Sequence, residues 1–207
     1  MIKLNNPSFE GFPSAGITPE NWYDCGSINF PSESPPDMHP SPIPLFDVTT
    51  PAKNGNTYIG LVVRDNDTWE SISQRLSTPL TIGNCYNFSL YLARSANYVS
   101  AVGDRKSNAS IEGRNPNTMV NHNTPAILRI WGGNGYCQKK ELLKSTTEIA
   151  HTDWIEYQFK FEPNTRMTYL TLEAFYKTPT PWPYNGNLLI DNPVSYTHLT
   201  LPTICSV

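Results

Sequence analysis

The chain has 207 residues, 38% of them hydrophobic, and a formal net charge of −3 from mixed signs. That length and apolar fraction suit one domain with a packed core, and the charge argues against nucleic acid or an anionic membrane surface as the main partner. Nineteen prolines, eleven tyrosines and five tryptophans suit short strands joined by stiff polar loops, a composition common in secreted all-β domains. No apolar run approaches the ~20 residues of a membrane helix, so no membrane span is expected. The opening MIKLNNPSFEG is too poor in apolar residues for a signal peptide, so Met1 is read as the start of a mature domain or an internal start of a longer frame.

In chain order, Gly11–Pro51 is rich in Pro and Ser and reads as loop. NTYIGLVV (Asn56–Val63) reads as a strand, followed past Arg64 by a DND turn. WESISQRL (Trp69–Leu76) and NFSLYLA (Asn87–Ala93) alternate with period two and are predicted strands. Asn97–Asn123 is polar and is expected to be a mobile loop. AILRIW (Ala126–Trp131) sets Leu128 and Ile130 opposite Arg129 and Trp131. KKELLKS (Lys139–Ser145) is the one helix candidate. WIEYQFKF (Trp154–Phe161), TYLTLEAFY (Thr168–Tyr176) and NLLIDN (Asn187–Asn192) are further strands, and KTPTPWPYNG (Lys177–Gly186) is a proline-stiffened loop. The expected fold class is all-β, a two-sheet antiparallel sandwich of the jelly-roll kind.

The order of motifs resembles the galactose-binding-like jelly roll of carbohydrate-binding modules. NNPSFEG followed by Asn21 and Trp22, the stretch WESISQRLSTPLTIGNCYNFSLYLARS, and the closing GNLLIDN carry the likeness over about Asn5 to Asn192. A narrower likeness rests on NWYDCG, SPPDMHP, NTYIGLVVRDNDTWE, LRIWGGNGYC and AFYKTPTPWPYNG. These resemble an N-terminal domain of Bacteroidetes surface or secreted proteins, which implies an exported location. The resemblance also implies a structural Ca²⁺ between the N-terminal segment and the last strand, where Glu10 and Asp191 stand as carboxylate ligands.

Sugars are bound by aromatic faces and planar polar groups. With Leu128 and Ile130 facing the core, Arg129 and Trp131 share the opposite face, which is expected also to carry Arg64, Tyr91 and Glu173. Trp182 and Tyr184, in the stiff loop, are expected to rim it. Glu70, Glu156 and Glu173 stand on strands, but nothing around them marks a catalytic pair. His39, His122 and His151 lack zinc spacing, no G-x-S-x-G occurs, and GGNG (Gly132–Gly135) opens no clear helix. The expectation is therefore a non-catalytic glycan-binding module of a larger exported protein. The alternative is a structural or adhesive domain that contacts other cell-surface proteins.

The stretch Val194–Val207, VSYTHLTLPTICSV, contains no Asp, Glu, Lys or Arg. Its first ten residues can be read from GTC TCT TAT ACA CAT CTG ACG CTG CCG ACG, which resembles a transposase sequencing adapter translated in one frame. Pro193, Ile204 and a final Val207 codon fit the bases demanded at the borders. The expected division is a sandwich over 1–192, truncated at its last strand, and a non-native tail over 193–207. Without Cys205 three cysteines remain, Cys25, Cys85 and Cys137, giving one bridge and an odd thiol. The expected pair is Cys85–Cys137, since both follow Gly-containing turns beside core strands, and export permits a disulfide.

Overall fold

The structure is a computed structural model that describes residues 2–101 and 118–197. Its strands are β1 (Tyr23–Asp24), β2 (Asp37–His39), β3 (Tyr58–Val63), β4 (Ser71–Leu80), β5 (Tyr86–Ala93), β6 (Val99–Ala101), β7 (Met119–Asn121), β8 (Ala126–Gly133), β9 (Glu141–Ser145), β10 (Ile155–Phe161), β11 (Met167–Tyr176) and β12 (Gly186–Thr197). One short α-helix, α1, spans Gly26–Asn29, and a 3-10 turn spans Leu45–Asp47. The first sheet has the order β1-β4-β11-β8-β9 and the second β10-β5-β12-β3-β2, while β6 and β7 form a separate ribbon. Pairing within both sheets is antiparallel. The fold is the expected jelly-roll type of β-sandwich.

Alternation builds the core. Leu128 and Ile130 of β8 and Leu170, Leu172 and Ala174 of β11 face Ile59, Leu61 and Val63 of β3, Leu90 and Leu92 of β5, and Leu188 and Ile190 of β12. Each large side chain buried there contributes about 1.5–3 kcal/mol. Because successive residues point to opposite faces, the same strands present Tyr58, Val62, Ala93 and Leu189 on the outside of the second sheet. A smaller cluster with Val48 and Tyr98 covers them, with Trp154 packed alongside.

Three expectations are corrected. Lys139–Ser145 is not helical: β9 occupies Glu141–Ser145 and pairs with β8. Leu143 is 7% exposed and Leu142 45%, so the hairpin separates two leucines that local helix propensity would keep together. Gly11–Pro51 is not all loop, since it holds β1, α1 and β2, elements too short to show a period. Within Asn97–Asn123 the β6–β7 ribbon brackets residues that lie outside the described ones. The other predicted strands are present. β12 continues to Thr197, with a register shift between Asp191 and Val194, and the stretch from 198 onward lies outside the described residues.

Candidate functional site

On the outer face of the first sheet, register places Glu173 of β11 between Ser71 of β4 and Arg129 of β8, with Trp131 one row away. Glu173 is 1% exposed. It accepts hydrogen bonds from Trp131 Nε1 at 3.0 Å and Trp69 Nε1 at 2.9 Å, and it pairs with the Lys139 ammonium. Arg129 Nη1 lies 3.9 Å from it, and the guanidinium sits 3.4 Å over the Phe175 ring. Arg129 and Trp131 therefore share a face with Glu173 as expected. The Trp131 N–H, however, is committed to a buried carboxylate that also takes Trp69 and Lys139, with Arg129 as a looser neighbour.

A disulfide straps this face. Cys137, in the turn between β8 and β9, bonds to Cys25 beside β1, on the far side of β4 and β11. This corrects the expected Cys85–Cys137 pair. No cysteine is free among the described residues, which also removes the expected odd thiol. Tyr136 of the strap stacks on Tyr23 at 4.9 Å and meets Tyr169 edge-on at 4.8 Å. Only the folded sheet order brings the ends of this strap together, so spacing in the chain could not identify the pair.

The outer face of the second sheet holds a different arrangement. Asp37 and His39 of β2 stand opposite Gly60 and Tyr58 of β3, and Asn187 of β12 stands opposite Val62. Gly60 is required here, since an added Cβ would come within 3.0 Å of the His39 ring. Arg64, just past β3, pairs with Glu70 and lies 3.4 Å from Glu33. Glu70 Oε2 accepts the Val62 N–H at 3.0 Å, and Asp37 Oδ1 accepts the Gly16 N–H at 2.8 Å. Asn187 Oδ1 accepts the Ser95 N–H at 3.2 Å. Three buried atoms, His39 Nδ1, Arg64 Nη1 and Asn187 Nδ2, have no partner among the described residues. Such orphans are rare inside proteins.

The electrostatics of this buried group are strongly perturbed. Burial pushes Glu70 up to about 8, against the pull of Arg64 and the Val62 N–H, while neighbouring Asp37 adds to the rise. Burial also raises Asp37, opposed by the Gly16 N–H and Arg64. His39 is pushed down to about 4 by burial. Burial raises the Tyr98 phenol, and the charge of Glu70 raises it further. Arg64 and Glu33 are the group's more exposed members, with side-chain exposures of 16% and 21%.

Glu10 and Asp191, the implied calcium pair, both bind amides of the loop that runs from Lys53 to Asn56. Asp191 Oδ2 accepts the Lys53 and Asn54 N–H groups at 2.8 Å each, and Glu10 Oε1 accepts the Asn56 N–H at 2.9 Å. Gly55, at φ +67°, lets the loop close on Glu10, where a Cβ would collide with its carboxylate. Asp191 Oδ1 is buried without a partner, and burial lifts its carboxyl to about 6, with nearby Glu10 adding to the rise. An orphaned carboxylate oxygen beside a second acid fits a hard cation. Among the described residues no group of three or more His, Cys, Asp or Glu converges, so further ligands there would be backbone or solvent oxygens.

The six expected ligand residues thus do not form one surface. Arg129 and Trp131 lie on the first sheet, Arg64 and Tyr91 on the second, where Lys53 sits 4.9 Å from the Tyr91 ring centroid. Strand parity separates inside from outside but does not tell which of two sheets a strand joins. Trp182 is 71% exposed. Tyr184 is an anchor: its hydroxyl accepts the Lys177 N–H at 2.6 Å and donates to the Pro125 carbonyl at 2.8 Å. Sequence reasoning passed over Asp37 and Asn187, which sit in a Pro-rich stretch and at a strand start without any local signature.

No protein-family profile matches the chain, and no curated protein sequence matches it. Among solved structures, an arabinose-bound α-L-arabinofuranosidase is similar with a TM-score of 0.58 at 10% identity, over 94% of this chain and 26% of that one. The Stig cyclase FisC from Fischerella sp. TAU is similar with a TM-score of 0.52 at 12% identity, over 95% of this chain and 96% of that one. A family 4 carbohydrate-binding module has a TM-score of 0.47 at 11% identity, over 87% and 97%. These likenesses concern the fold. The expectation of a domain without catalysis, which rested on absent motifs, is corrected: the cyclase, similar in fold over nearly the whole of both chains, is an enzyme, so this fold hosts catalysis as well as binding.

Proposed function

We propose that this chain is a glycan-binding module of an exported or cell-surface protein, with a sugar ring taken into a recess formed at Arg64, Glu70, Asp37 and Asn187 of the second sheet. The observation that carries this reading is the pair of buried, unpartnered atoms on Arg64 and Asn187, together with the carboxylates of Asp37 and Glu70. A sugar hydroxyl both accepts and donates, so one ring can take hydrogens from Arg64 Nη1 and Asn187 Nδ2 and return its own to Asp37 or Glu70. One guanidinium among Glu33, Asp37 and Glu70 favours a neutral ligand over an anionic one. The polar side chains here are planar, which suits the directional hydroxyls of a pyranose.

The pair Glu10 and Asp191 is proposed to hold one Ca²⁺ structurally. When bound, the ion neutralises two neighbouring carboxylates and ties the first residues of the chain to β12. The sugar reading is tested on a microarray of neutral glycans. Wild type is expected to give signal, and Arg64→Lys, which keeps the charge but loses the second arm of the fork, to bind roughly tenfold more weakly. A silent wild type, or an Arg64→Lys variant that binds equally well, would overturn it.

A further inference from the structure

An open cleft lies on the other sheet. It offers about 560 Å³ between Ser145–Glu148, at the end of β9 and just beyond it, and Lys177–Pro179, with Ile127 of β8 lining it from the outer face. That volume is within the range of small-molecule sites. Its lining is hydroxyl-rich, from Ser145, Thr146, Thr147 and Thr178, with Ile127 and Pro179 as apolar patches. The charges offset each other: Lys177 Nζ and Glu148 Oε2 are 3.8 Å apart, and both side chains are about half exposed. Such an exposed pair is weak and yields readily to a ligand.

The loop forming one wall also carries Trp182, which keeps 71% exposure. That loop is closed at its base by Tyr184, bonded to Lys177 and Pro125 and stacked edge-on against Tyr176 at 5.2 Å. Thr180 Oγ1 bonds to the Trp182 carbonyl at 2.9 Å, which fixes the tip. A large aromatic held in solvent on a proline-stiffened, anchored loop is already ordered for stacking, so binding orders little more.

We infer that this cleft, extended to Trp182 three residues beyond its lining on the same loop, is a second saccharide site for a neutral sugar, so that one chain engages glycan on both sheets. The ligand class follows from the hydroxyl lining, the balanced charge and the exposed indole. It rests on the glycan reading only for that class, because the residues involved are separate from the recess.

Titration with cellohexaose, xylohexaose and mannohexaose, followed by the indole N–H resonance of Trp182 and by binding stoichiometry, tests it. The resonance is identified from Trp182→Phe. At least one hexasaccharide is expected to shift it saturably, in wild type and in Arg64→Lys alike, with two equivalents bound to wild type and the other event about tenfold weaker in Arg64→Lys. Trp182→Ala, on an exposed tip, should weaken the second event roughly two- to tenfold without altering the first. An unmoved Trp182 resonance with all three sugars overturns the second site, even if Arg64-dependent binding persists. A Trp182 shift without Arg64-dependent binding keeps this site and removes the recess.

Discussion

The guanidinium of Arg64 and the carboxylate of Glu70 meet across the turn that joins β3 to β4, with Glu70 Oε2 also accepting the Val62 N–H. Glu70 is 2% exposed, and its loss of water outweighs its counter-ion, so it binds its proton up to about 8 instead of the ordinary 4.5. The folded state therefore holds the proton more tightly than the unfolded chain. This contributes stability that is full below about 4.5 and is lost as pH rises through about 8. Glu70→Gln should flatten the stability profile between those values in urea titrations. An unchanged slope would place the proton elsewhere.

His39 acts with the opposite sign. Its ring is buried against Gly60 and stacked on Tyr58 at 5.6 Å, and it stays neutral down to about 4 against an ordinary 6.5. The folded state resists its protonation, so the stability tied to the neutral ring is present above about 6.5 and is lost as pH falls through about 4. His39→Gln is expected to remove part of the acid-side loss, read as a smaller drop in midpoint between neutral and acidic buffer.

Glu173 holds the first sheet's outer face together. Removing it as Glu173→Ala strands Lys139 and two indole N–H groups in a half-buried cluster, with an expected cost of about 3–5 kcal/mol. Glu173→Gln keeps an acceptor for one indole and is expected to cost less. Equal denaturation midpoints for Glu173→Ala and wild type would show the cluster to be energetically idle.

The Cys25–Cys137 bond closes a loop of sequence separation 112. Replacing both cysteines by serine should lower stability by about 2–4 kcal/mol through the freed unfolded chain. The same change should raise hydrogen exchange in the strap around Tyr136. Mass mapping of a non-reduced digest would reveal any other pairing.

Calcium makes a separate claim on Asp191. With the ion proposed between Glu10 and Asp191, chelation is expected to lower the melting temperature of wild type. Asp191→Asn keeps the Oδ contact to the Lys53 and Asn54 amides but weakens the ion's hold, so its melting temperature should respond little to chelator. A wild-type melting temperature indifferent to chelator and to added Ca²⁺ would leave the loop amides alone as the tie.

The sequence by itself determined the strand-rich class, seven of the strands and, within β8 and β11, which residues point inward. Period-two alternation is a local property, set by the pleat, and survives without knowing any neighbour. It likewise marked Arg129 with Trp131, the stiff loop bearing Trp182, and the acids Glu10 and Asp191 at the two ends of the domain. The tertiary structure alone decided which sheet each strand joined, and so parted Arg64 and Tyr91 from Arg129 and Trp131. It alone made Lys139–Ser145 yield a strand, joined Cys137 to Cys25, and set Asp37, His39 and Asn187 on one face of the second sheet. Those outcomes depend on pairing between segments up to ~150 residues apart, where burial and hydrogen bonding with distant strands override what any short stretch prefers.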